Sequence, residues 1–138
     1  MAFKKDRPPY YRTLDAIRTE GDWEGWIGFF LDCVTEAAGD AVQAARRLFN
    51  QVDTDRRKIA SHKAATLPSV RLFDHLTRHP MLTPRTAMEL LETTKPTTGK
   101  AMDALVQTGI LEEITGRKRN RVFAYRAYLD ILAEDTQV

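Results

Sequence analysis

A mainly α fold closing in a small β-hairpin is predicted for the 138-residue chain by three observations. Apolar residues recur at helical spacing through the first half. In the second half two short helical stretches each open on a proline, Pro84 and Pro96, with only Thr93-Thr94-Lys95 as a turn between them. After Gly109 the apolar period drops to two on either side of a charged turn, Gly116-Arg117-Lys118-Arg119-Asn120. Helix, short strand, helix, tight turn, helix, then basic hairpin is the order of a winged helix-turn-helix.

The elements follow in turn. Pro8-Pro9 precedes a short amphipathic stretch, Tyr10 to Thr19, closed by Gly21. Asp22 is placed to cap the next helix, because a short acidic side chain accepts from the free N–H groups of a first turn. In that helix Trp23, Trp26, Ile27, Phe30, Leu31, Val34 and Ala38 make a wide apolar face, read as core, and Gly39 offers a stop or a bend. A third helical segment runs from Asp40 to about Thr66, roughly 40 Å at ~1.5 Å per residue. Its stripe of Val42, Ala45, Phe49, Val52, Ile59 and Lys63 is interrupted at Arg56, while Arg46, Arg47, Asp53, Asp55, Arg57 and Lys58 occupy the remaining face. Such a helix links the halves or pairs with a partner.

The grammar changes at Leu67-Pro68-Ser69, which divides the chain into a helical segment, 1–67, and a winged helix-turn-helix domain, 68–138. Val70, Leu72, Phe73 and Leu76 sit on a helix that ends before Pro80, and Met81-Leu82 is a brief extended piece. Thr83 supplies an N-cap oxygen for a helix begun by Pro84, which buries Ala87, Leu90 and Leu91. The helix begun by Pro96 carries Ala101, Met102, Leu105 and Val106 inward and stops at Gly109. Strands are expected in ILEEIT and RVFAYR, with a helical tail in AYLDIL.

Composition narrows the function. Twenty-one basic and nineteen acidic residues leave a net charge of +2, which excludes a polycationic tail. A lone cysteine, Cys33, excludes an internal disulfide and a paired-cysteine metal site, and points to a reducing compartment. No apolar run approaches the ~20 residues that span a bilayer. The N-terminal MAFKKDRPPYY lacks the apolar core of a secretory signal, so a cytoplasmic protein with no membrane partner is expected.

The chemistry expected of the helix pair is DNA recognition, since its second helix enters the major groove by its N-terminal residues. Those positions hold Thr97, Thr98, Lys100 and Ala101, expected against base edges. Lys95 in the turn, Arg85 and Thr86 at the preceding helix start, and Arg117, Lys118, Arg119 and Arg121 in the acid-free wing are expected on phosphates. Four or five phosphate contacts per chain predict weak binding by a monomer, so a homodimer on double-stranded DNA is expected. His75 and His79 are spaced i,i+4 but lack a third ligand, and Cys33 reads as a packed thiol. Glu112 and Glu113 alternate along a strand and do not form a general acid–base pair. No phosphate-cradling glycine loop is present. The chain is therefore expected to carry no catalytic residue, metal or cofactor. The alternative function is that of a protein-interaction or dimerisation module acting through the exposed part of the Val42–Ile59 stripe.

Two blocks, PPYYRTLDAIRTEGDWEGWIGFFLDCVTEAA and GILEEITGRKRNRVFAYRAYLDIL, resemble the C-terminal region of bacterial Fic/DOC-family proteins over about Pro9 to Leu132. The resemblance implies the helices that follow a Fic catalytic core, then a winged helix that regulates transcription or tethers a Fic unit to DNA. It also implies a Fic catalytic unit as a partner. Fic enzymes transfer AMP from ATP with an HPFxDGNGRxGR-type loop. Here His79-Pro80 is followed by Met81-Leu82-Thr83, so no catalytic residue carries over, and the family's inhibitory Ser/Thr-x-x-x-Glu-Gly/Asn helix is also unmatched. The chain is expected to be a C-terminal piece of such a protein, transferring AMP only if that core is supplied.

Overall fold

The computed structural model describes residues 7–134. The reading of the charged N-terminus therefore falls largely outside the described residues. The chain divides at Arg46/Arg47 and again at Ile131/Leu132 into two compact units.

The first unit contains helix α1, Arg7–Glu20, and the beginning of helix α2, Trp23–Ser61. Gly21 ends α1 with φ 71°, a conformation that costs a residue without Cβ little, and its N–H returns to the Ile17 carbonyl. Asp22 then caps α2 as its side chain predicts, its Oδ1 accepting from the Gly25 N–H at 2.9 Å. Tyr10 meets Trp26 edge-on, with ring centroids 5.6 Å apart.

Two expectations for α2 are corrected. The helix runs through Gly39 without a break, because one glycine costs only ~1 kcal/mol and its neighbours are good helix formers. The apolar face read as core is largely exposed: Trp23, Ile27, Phe30, Leu31 and Val34 all face outward, whereas Cys33 and Ala44 are buried.

The second unit begins on the last turns of α2. That helix stops at Ser61 rather than near Thr66, because Thr66 and Ser69 form a reciprocal capping box that starts the next helix. Helix α3 is Leu67–Leu76, strand β1 Met81–Leu82 and helix α4 Pro84–Leu91. Helix α5 is Lys95–Gln107, strand β2 Glu112–Glu113, strand β3 Phe123–Ala124 and helix α6 Arg126–Glu134. Thr83 caps α4 by accepting from the Thr86 N–H, and Pro84 and Pro96 occupy first-turn positions. A left-handed Glu92 turns α4 towards α5.

The antiparallel sheet has the order β1-β3-β2, pairing Leu82 and Glu113 with Phe123, and Met81 and Glu112 with Ala124. Its strands are shorter than the alternating pattern suggests. Beyond the Ile114 N–H to Val122 carbonyl bond, the N–H groups of Thr115 and Gly116 turn to the Glu113 side chain and leave the ladder. The fold is thus mainly α, with a helix pair and a β-hairpin wing.

One core holds this unit together, with Leu72, Phe73 and Leu76 of α3, Leu91 of α4, Leu105 of α5 and Phe123 of β3 among its members. Ile59 of α2 is fully buried in it. Asp55, which the sequence pattern places on a solvated face, is buried instead. Its Oδ2 accepts from the Tyr125 hydroxyl and from Gln51 Nε2, each at 2.7 Å. Arg56, at the interrupted apolar position, pairs with Asp74 of α3. Among the described residues, no buried side-chain nitrogen or oxygen lacks a hydrogen-bond partner.

Candidate nucleic-acid interface

Helix α5 turns one side to the core and the other to solvent. Thr98, Ala101, Met102 and Leu105 form the inner stripe. The Thr98 hydroxyl donates to the Thr94 carbonyl at 3.0 Å. The expectation that Thr98 and Ala101 face base edges is therefore corrected: both are buried side chains and support the helix. Their spacing with Met102 and Leu105 already marks this stripe in the sequence. Val106, expected inside, is instead exposed.

The outer side carries Lys95, Pro96, Lys100, Asp103 and Gln107, with Thr97 half-buried beside them. The Thr97 hydroxyl shares a hydrogen bond with that of Thr94 at 3.0 Å, which fixes the first turn. Pro96 and Gln107 join this surface without any signal of charge or motif; only the burial phase of the helix reveals them.

At the start of α4, Arg85 is exposed but held by Glu89 in an i,i+4 ion pair at 3.1 Å. The Thr86 hydroxyl shares a hydrogen bond with Thr83. These two residues are thus already engaged within their own helix.

The wing is shaped by one carboxylate. Glu113 Oε1 accepts from the Thr115 N–H at 3.0 Å, the Gly116 N–H at 2.9 Å and the Thr115 hydroxyl. The Thr115 oxygen in turn accepts from the Val122 N–H across the hairpin. Gly116 and Asn120 take left-handed conformations, φ 61° and 53°, that carry the chain round the tip. The Thr115 hydroxyl, then the two N–H groups and the nearby Arg121 charge, hold the Glu113 carboxyl below its ordinary range against the opposing effect of burial. Arg117, Lys118, Arg119 and Arg121 are exposed around this turn. The Arg121 guanidinium lies 5.1 Å from the Phe123 ring centroid, so its stem is guided by the sheet.

Elsewhere, the His75 carbonyl accepts from the N–H groups of Arg78 and His79, closing the end of α3. Among the described residues, no group of three His, Cys, Asp or Glu side chains is arranged to hold a metal ion. No described helix is long and apolar enough to cross a membrane.

No protein-family model matches the chain, and no curated protein matches it either. Among solved structures, RV1404 from Mycobacterium tuberculosis is similar at 20% identity over 75% of this chain and 71% of that one, with a TM-score of 0.43.

Proposed function

We propose that the second unit binds double-stranded DNA as a winged helix-turn-helix. The observation that carries this reading is the wing: four cations with no acid among them, on a turn whose backbone is pinned by Glu113. A turn held in this way presents its charges without a large ordering cost, which suits contact with a phosphate backbone. Thr97 and Lys100 enter the groove from α5, and Lys95, Arg117, Lys118, Arg119 and Arg121 bind phosphates. Arg85 joins them only by releasing Glu89.

In this reading the chain regulates transcription or tethers an associated Fic-type unit to DNA, and has no catalytic residue or cofactor of its own. Fluorescence anisotropy with a labelled random duplex, across a salt series, tests it. Binding is expected to weaken with a log–log slope of about −0.9 per phosphate contact, and replacing the four wing cations with alanine is expected to flatten that slope by roughly 3.6. An unchanged affinity and slope in that variant would refute the wing assignment. No binding even at low salt would refute DNA as the partner.

A further inference from the structure

Ile27, Leu31, Val34, Val42 and Phe49 are each 45–73% exposed on α2. With Ala38 and Ala45, also exposed, they fall within about 40° of one line along a helix of 3.6 residues per turn. Together the five larger side chains present roughly 500 Å² of apolar surface, about the apolar share of the ~800 Å² that each partner brings to a standard-size homodimer interface.

The charges along the same helix indicate the occupant. From Trp23 to Ala45 it carries Glu24, Asp32, Glu36 and Asp40 and no base. From Arg46 to Lys58 it carries Arg46, Arg47, Arg56, Arg57 and Lys58 against Asp53 and Asp55. Glu24 and Arg56 lie on the line of the apolar face itself, one before it and one after it. We infer that this face pairs with the same face of a second copy, the two helices running antiparallel about a two-fold axis near Ala38.

Antiparallel pairing sets Glu24 of each copy about one helical turn from Arg56 of the other, at both ends, where Arg56 also pairs with Asp74 of its own chain. Parallel pairing would stack like charges. The centre of the apolar run, between Ile27 and Phe49, falls on Ala38, whose small side chain lets two helices approach closely. The contact is isologous and closes at two copies.

Sedimentation of the full chain is expected to show a dimer at tens of micromolar, and Val42→Glu a monomer of unchanged helicity. In a Cys33→Ser background, Ala38→Cys is expected to crosslink to itself. Leu31→Cys is expected to do so poorly alone but readily when mixed with Ala45→Cys, its counterpart across the axis. A monomer at about 100 µM would overturn the inference. So would self-crosslinking of Leu31→Cys as efficient as that of Ala38→Cys, the mark of a parallel pair. Neither readout depends on DNA, so this inference and the DNA-binding reading fail separately.

Discussion

Removing the Tyr125 hydroxyl tests how α2 is fastened to the winged-helix unit. Tyr125 is fully buried and donates to Asp55 Oδ2 at 2.7 Å, while its ring packs edge-on against Phe73 and stacks on Tyr128. In Tyr125→Phe both ring contacts remain and only the hydrogen bond is lost, leaving the buried Asp55 carboxylate with Gln51 as its donor. A hydrogen bond to a charged group contributes ~1.5–3 kcal/mol, so a loss of about 2 kcal/mol is expected. For a chain of this size that corresponds to a fall in Tm of roughly 6–10 °C. Calorimetry or urea unfolding measures it. The same change made in an Asp55→Asn background is expected to cost about 1 kcal/mol less, because the remaining bond would be between neutral groups.

Burial, and then the hydrogen bond to and charge of Asp55, push the Tyr125 phenol well above its ordinary range. The folded state therefore prefers the neutral phenol. This contribution to stability is complete below about pH 10, the ordinary tyrosine value, and is lost as pH rises above it. Tyr125→Phe is expected to remove this part of the alkaline loss. A cost under about 0.5 kcal/mol, or an equal cost with and without Asp55, would refute the account.

Three further outcomes follow from the same structure. Gly39→Ala is expected to stabilise the protein by about 0.5–1 kcal/mol in urea unfolding, since a Cβ there meets nothing within 4 Å and the backbone is already helical. Glu113 is held below the ordinary carboxylate range, so its support for the wing is present above that range and lost as pH falls through its lowered pKa. The Thr115 and Gly116 amide resonances are expected to titrate together there, and Glu113→Gln to abolish that titration. Ala101→Leu is expected to overpack the core and destabilise by about 1–3 kcal/mol, whereas Lys100→Ala is expected to stay within about 0.5 kcal/mol in thermal unfolding and to weaken binding to duplex DNA.

The parts of this fold that were legible in the sequence are those set by neighbours along the chain. Thr83-Pro84 and Pro96 announce helix starts because caps and first-turn prolines act over three or four residues. Gly109, φ 71°, likewise marks the end of α5. Distant partners were not legible. Nothing near Asp55 reveals that its hydrogen bond comes from a tyrosine 70 positions later, so its charge alone suggested a solvated face. Alternation predicts strands longer than the two residues that pair, because it reports which face a residue prefers. It does not report that a glutamate will capture the N–H groups that would have continued the ladder. In the candidate interface, charge and position single out Lys95, Lys100 and the wing cations, and the structure leaves all of them exposed. Thr98 and Ala101 lie at the groove-facing end of the helix but on its buried stripe, and position along the helix alone does not say which side meets the core. The long helix shows the converse: periodicity reveals that a face is apolar, and says nothing of what covers it.

The order β1-β3-β2 makes the strand at the middle of the sheet the last of the three to leave the ribosome. Until Phe123 and Ala124 emerge, Met81-Leu82 and Glu112-Glu113 have no neighbour to pair with, and Asp55 lacks the tyrosine that follows directly. Helices α3, α4 and α5 can gather earlier through contacts close in sequence. The sheet and the fastening of α2 must instead wait for the same few residues. A nascent chain halted before Phe123 would thus hold an unfinished core, and its wing and its anchor would be completed together.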